Sequence, residues 1–427
     1  MTRLTTEDAR AYRTIPPDVL PPPHGRREHP DTPTVTRPAA RGPEGEHPVS
    51  QRLRVDIVRT EAQLQEFIDL PWELHPAHLH MPIMEETIRS WFHGSADHPG
   101  RIDLVLVRDQ EGAARARSTV HTHDAFEQRL GTPTLFFGAT EFADHACLET
   151  LTAWAAERGR SMGKQQLLGP VALDGQERCG VITSGFSQPT FMDQPWNPSR
   201  VPDSFEALGF ERWTEGATWS VDLTRAQLRR PEAAELDARG VELVQLRRRD
   251  VDGILPEIAA AVNEAMGRQH YFTPMDEQQF AASVKDLSIM LDLEIVGLLR
   301  DRATGRIASH FICIPNISPA VREARGRMRL WDQAKLLVRN RRYRREALLL
   351  VQGTRAEHEG QGLLSMLSQE VMSRLREKGY RRLLVTFIVE ENRGSSRQFE
   401  RVGGAPLHGT TFYRMDLTGT REAPVVS

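Results

Sequence analysis

The residue types most suited to chemistry gather in LLLVQGTRAEHEGQGLLSMLSQEVMSRLREKGYRRLLVTFIVEEN, residues 348–392. A continuous apolar run ends at Gln352 and Gly353, and a polar loop follows through His358, Glu359, Gly360, Gln361 and Gly362. An amphipathic helix starts there, over Leu363 and Leu364, with Leu364, Leu367, Val371 and Leu375 on one face. The first N–H groups of a helix have no intrahelical partner and carry the positive end of its dipole. Glycines at the entry let a phosphate come close to that backbone. The loop therefore suits a pyrophosphate, although glycines at a strand–helix turn also serve packing alone. Beyond the second apolar run, Glu390, Glu391 and Asn392 place two carboxylates and an amide at a strand end, and Tyr413 is a phenol on the last strand. Glu391 and Tyr413 are the candidates for moving a proton.

Other segments carry reactive side chains in less specific patterns. His75, His78 and His80 in HPAHLHMP have a spacing that could ligate a metal on a turn. No carboxylate or cysteine accompanies them, so polar surface is the expectation and no metal is assigned. His121 and His123 alternate on one strand and read as a polar face. The run from Lys335 to Arg345 is strongly basic, with Arg339, Arg341, Arg342, Arg344 and Arg345 around Tyr343. A solvated helix face is its ordinary reading; a phosphate-rich partner such as tRNA, with Tyr343 stacking on a base, is the alternative.

These side chains need a scaffold, and the periodicities supply an α/β one twice. Residues 1–50 hold ten of the 27 prolines and little apolar periodicity, the pattern of a disordered tail. After it, segments 54–58, 102–107, 114–122, 135–142, 166–169 and 218–223 read as strands, with helices at 61–70, 146–158 and 204–208. The same order returns with strands at 241–246, 294–300, 307–314, 347–351, 383–389 and 412–417. Helices at 254–266, 362–378 and 395–402 accompany them. The segment ALGFERWTEGATWSVDL (207–223) aligns without a gap on RVGGAPLHGTTFYRMDL (401–417), with Gly209 on Gly403 and Trp219 on Tyr413. That recurrence argues for a duplication. It predicts modules at 51–224 and 240–418, each closed by its own last strand.

Strand, Gly-x-Gly turn, helix, parallel apolar strand, Asn392, short helix and Gly403 together resemble the core motifs of the GNAT acyltransferase superfamily. The resemblance is clear over residues 294–417 and rests on element order over 53–223. It implies two GNAT-like modules, each a mixed, splayed central sheet flanked by helices. It also implies that acyl-CoA lays its pyrophosphate on Glu359–Leu364 and its pantetheine between strands 347–352 and 383–389. A backbone N–H near Gln352 would polarise the acyl carbonyl, and Asn392 would contact the cofactor arm. Where the superfamily turn usually has Gln or Arg, Gly, then Gly or Ala, this chain has Glu359, Gly362 and Leu364. Seven residues after the asparagine, a frequent tyrosine is replaced by Phe399, which leaves Tyr413 as the nearest phenol. The first module lacks any glycine turn in DHACLETL (144–151), so no CoA is expected there.

Composition narrows the setting. A formal charge of −3 gives no global attraction to nucleic acid or anionic membrane. Three distant cysteines form neither a disulfide framework nor a zinc site. No apolar run approaches a membrane span, and a cytoplasmic protein is expected. The chain reads as an N-acyltransferase acting from acyl-CoA on a small-molecule amine. An aminoacyl-tRNA-dependent transferase, as in the Fem-type enzymes, and a catalytically silent sensor or scaffold are the alternatives.

Overall fold

The computed structural model describes residues 53–96, 98, 100–173, 179–281, 292–328 and 345–419. The proline-rich tail and the basic run up to Arg344 lie outside the described residues. Arg345 lies within them and is exposed.

The first half runs β1 (Arg54–Ile57), α1 (Glu61–Leu74), α2 (Glu85–His93), β2 (Ile102–Arg108), β3 (Ala114–His121) and α3 (Asp124–Leu130). It continues through β4 (Thr134–Phe142), α4 (His145–Ser161), β5 (Gln166–Gly169), β6 (Val181–Ile182), α5 (Arg200–Ala207) and β7 (Glu211–Asp222). The second half holds α6 (Ala233–Asp237), β8 (Val241–Leu243), α7 (Val251–Met266), β9 (Val296–Asp301), β10 (Ile307–Pro315) and α8 (Ser318–Glu323). It ends with β11 (Glu346–Thr354), α9 (Leu363–Glu377), β12 (Arg382–Val389), α10 (Arg393–Glu400) and β13 (Ala405–Asp416).

Local chemistry sets the element ends. Thr60 and Gln63 form a capping box that opens α1, and Asp144 caps α4 by accepting from the Cys147 N–H at 3.0 Å. Gly209 and Gly403, aligned in the sequence repeat, both adopt left-handed backbone, with φ of 84° and 83°. The apolar run of β12 is covered on both faces. Leu383 and Val385 pack with Leu367 and Val371 of α9, whereas Leu384 meets Ile314 and Leu348.

All the described strands join one mixed sheet in the order β1-β2-β3-β4-β5-β13-β7-β12-β11-β10-β9-β8, with β6 alongside β13. Its parallel pairs are β4 with β5 and β11 with β12. The last strands do not close their own halves, contrary to the sequence expectation. β7 pairs with β12 of the second half, and β13 pairs with β5 of the first. Between them β7 and β13 run antiparallel, with Trp219 opposite Pro406 and Tyr413 opposite Arg212. In the sequence repeat Trp219 matches Tyr413 and Arg212 matches Pro406, so the two pairs are one pair seen twice. The halves thus meet across a local two-fold. Burial follows the exchange: Trp219 lies in the core with Phe399 and Val371, and Tyr413 in the core with Phe137 and Leu148.

Candidate active site

A wedge opens in the sheet of the second half. The parallel register of β11 and β12 runs from Glu346↔Arg382 to Leu349↔Val385 and stops, although the strands continue to Thr354 and Val389. A bulge against β10 leaves Leu350 without an opposite residue, because Val351 faces Ile312 and Leu349 faces Cys313. Thr386 Oγ1 donates to the Leu350 carbonyl at 3.1 Å and holds the strands together at the vertex. Leu350, Val351, Gln352, Phe387, Ile388, Met266 and Tyr271 line the small cavity inside the wedge, about 60 Å³ in volume.

The glycine turn stands where β11 leaves the wedge. Gly360 and Gly362 have φ of 76° and 75°, so each holds a left-handed backbone that disfavours side chains. An added Cβ at either would meet nothing within 4 Å, so the space in front of the turn is open. Gly362 is the N-cap of α9, no side chain caps that helix, and its first turn holds no acidic residue. Glu359 is exposed and pairs with Arg268, which follows α7, at 2.7 Å. Arg239 Nε donates to the Gln361 carbonyl at 3.1 Å. Two guanidinium groups therefore border a turn whose own sequence is acidic.

No family model matches the chain. Over 382 residues it is 24% identical to the bacterial ceramide synthase of Caulobacter vibrioides, covering 86% of this chain and 98% of that protein. It is 23% identical over 379 residues to protein YghO of Escherichia coli, covering 84% of this chain and 95% of that one. Among solved structures, a tandem GNAT protein from the clavulanic acid biosynthesis pathway superposes with a TM-score of 0.53 at 14% identity. That match covers 86% of this chain and 100% of the other. The fold is a tandem GNAT fold.

Within this tandem GNAT fold the sequence candidates separate. Gln352 lines the wedge, and its Oε1 accepts from Gln398 Nε2 on α10. Gly353 is buried, and a Cβ there would lie 2.4 Å from that of Ala265, so glycine is what lets α7 approach β11. Asn392 lines the wedge too, while its Oδ1 caps α10 by accepting from the Ser395 N–H at 3.2 Å. His358 turns away to pair with Asp301 at 3.2 Å. Leu363 is core, Leu364 is half-buried, and Gln361 and Glu391 are exposed.

Tyr413 is a correction. Its ring is fully buried, stacked on Phe205 with centroids 4.9 Å apart, and its hydroxyl donates to Glu206 at 3.0 Å. The strand exchange carries it into the core of the other half, away from the wedge. The phenol that does line the wedge is Tyr271, in the loop after α7. Burial raises its pKa well above the ordinary phenol value, and the Glu391 carboxylate adds to the rise. His270 beside it contacts Thr214 Oγ1 at 2.7 Å, and burial lowers its pKa against the opposing pull of Glu391. Sequence reading missed His270 and Tyr271 because they sit in an irregular loop. Their one signal is the cluster RQHYF (268–272) between a helix and Pro274.

The corresponding wedge of the first half is filled by the chain itself. Past Phe136↔Leu168, β4 and β5 part, but the Val171 N–H donates to the Phe137 carbonyl at 2.8 Å. Val171 and Ala172 are buried there, and an added Cβ at Gly138 would fall 1.7 Å from the Val171 oxygen. Nothing the size of a pantetheine arm fits. Among the histidines, His121 stacks on Phe136 and His123 caps α3 by accepting from the Phe126 N–H at 3.2 Å. His78 is exposed, but His75 and His80 are buried, contrary to the expectation of polar surface. Among the described residues no helix is long and apolar enough to cross a membrane.

Proposed function

We propose that the chain is an N-acyltransferase that moves an acyl group from a CoA thioester to an amine. The observation that carries this reading is the open wedge between β11 and β12, with an uncapped helix N-terminus and two left-handed glycines at its mouth. The extension of β11 past its parallel partner supplies backbone edge for the pantetheine amides, and the turn supplies N–H groups for the pyrophosphate. The amine lone pair attacks the thioester carbonyl, a backbone N–H of Leu350–Gln352 stabilises the oxyanion, and the carbon–sulfur bond breaks. Glu391, directly or through His270, takes the ammonium proton, and the Tyr271 hydroxyl donates to the departing thiolate.

The lining by Met266, Leu350, Phe387 and Ile388 is apolar, which suits an apolar acyl group at the thioester end. Similarity to a bacterial ceramide synthase over nearly all of that protein's length supports the same chemistry, since a ceramide is the amide of a long-chain amino alcohol. Arg268 beside Glu359 offsets the charge of the acidic turn, which supports a CoA donor over a tRNA-borne one.

Calorimetric titration with CoA and palmitoyl-CoA, followed by a radiolabelled acyl-transfer assay on sphinganine and a panel of short amines, tests the reading. Saturable CoA binding lost in Gly362→Trp, together with labelled amide, is the expected result. Absence of CoA binding, with retention of charged tRNA at low salt, would overturn it.

A further inference from the structure

The buried histidines of the first half belong to a cluster that acyl transfer does not use. His75 is the C-cap residue of α1, His80 follows within the same turn, and Glu141 lies near the end of β4. Their exposures are 7%, 0% and 5%, and one donor atom from each lies within 4.8 Å of the other two. His75 Nε2 contacts one Glu141 oxygen, and Arg117 stands 3.8 Å from the other while donating to the Phe67 carbonyl at 2.7 Å. His75 Nδ1 is buried with no hydrogen-bond partner. Trp72 meets the His80 ring edge-on at 5.5 Å and Trp196 the His75 ring at 5.3 Å, so aromatic walls enclose the group.

An ion pair alone explains this arrangement poorly. Burying a carboxylate and two imidazoles together is costly, and a full positive charge held between the three donors offsets that cost best. The His75–Glu141 contact also leaves Nδ1 of His75 buried without a hydrogen-bond partner. Two imidazoles and one carboxylate are instead a zinc donor set, able to take a fourth ligand from water. The role of Arg117 then resembles that of the partners which orient a ligating carboxylate from behind. Ligands of a tetrahedral zinc sit about 3.3 Å apart, so small side-chain rotations would close the donors onto an ion.

We propose that His75, His80 and Glu141 bind a zinc ion that ties the end of α1 to β4. Held this way, the ion anchors the helix over the half whose wedge is filled, with a water beside Trp72 and Trp196 completing its four ligands.

The test uses the full chain purified without a histidine tag. Metal analysis should find about one zinc per chain, lost in His80→Ala and Glu141→Gln and kept in His78→Ala. A chelator should lower Tm and added zinc should restore it. If the variants fail to fold, cobalt-loaded wild type decides the matter, because tetrahedral nitrogen and oxygen ligation gives intense visible d–d bands. Wild type with less than about a tenth of an equivalent of any transition metal and no rise in Tm with zinc would overturn the proposal. So would zinc that survives both His80→Ala and Glu141→Gln.

Discussion

Arg268 Nη1 lies 2.7 Å from Glu359 Oε2, so the acidic corner of the glycine turn is matched by a cation from the loop after α7. The two residues are far apart in sequence, and each alone gives the wrong sign or no information. Together they present the turn with a neutral pair whose guanidinium has donors to spare for a phosphate.

Arg268→Glu is therefore expected to weaken CoA binding by about tenfold or more, and Glu359→Gln to strengthen it by a smaller factor. Both effects should shrink as salt rises, because the pair is exposed. Titration calorimetry at two ionic strengths measures them. Equal affinity of wild type and Arg268→Glu at low salt would remove the pyrophosphate from this turn.

Two tyrosines should separate catalysis from stability. Tyr271→Phe is expected to lower kcat by about a hundredfold with Tm nearly unchanged, since only a proton donor is lost. Tyr413→Phe should leave kcat near wild type and cost about 1 kcal/mol of stability through the lost Glu206 hydrogen bond. The reverse pattern would return Tyr413 to the reaction.

Acid should unfold the chain early. Burial lowers the pKa of His310 to about 3 and that of His408 to about 4, from an ordinary 6.5. The unfolded chain binds the extra protons, so the stability these neutral rings contribute is complete above pH 6.5 and lost as pH falls toward the folded values. Urea midpoints should drop steadily from pH 7 to pH 4, with a shallower slope in His310→Leu, whose native ring has neither nitrogen hydrogen-bonded. Parallel slopes for the two proteins would exclude His310 as a contributor.

The exchanged strands predict that the halves cannot be prepared singly. A cut in the segment after β7 should give two insoluble fragments when each is expressed alone, and one soluble complex when they are expressed together. Intact chain should unfold in a single transition by both calorimetry and fluorescence. A soluble, monomeric second half with its own CoA affinity would contradict the pairing of β7 with β12.

Much of the fold was legible because it is written in local patterns. The β12 run reads as a strand covered on both faces, and it is. Gly209 and Gly403 announced a repeated helix stop, and both hold the left-handed backbone that such a stop requires. Partner choice is not local, however. Nothing in Glu211–Asp222 says that its neighbour is β12 rather than β5, because either would bury the same alternating face. Hence Tyr413 looked available for chemistry while the fold buries it elsewhere. The same blindness hid Glu141 from His75 and His80, since a carboxylate from β4 meets them only through tertiary packing. Tyr271 and Arg268 escaped notice because irregular loops have no period to mark which way a side chain turns.

The strand exchange has a consequence for how such a chain can change. Each half contributes one strand to the other's core, as subunits of an interlocked dimer would, yet here the two subunits share one polypeptide. Gly216 and Ala217 belong by position to the half with the filled wedge, but they flank Val389 and Ile388 at the open one. Even there, an added Cβ at Gly216 would fall 2.2 Å from the Ile388 oxygen. The half with the filled wedge is thus held to its sequence by the half with the open one, and a duplicated copy whose own wedge is filled cannot drift freely.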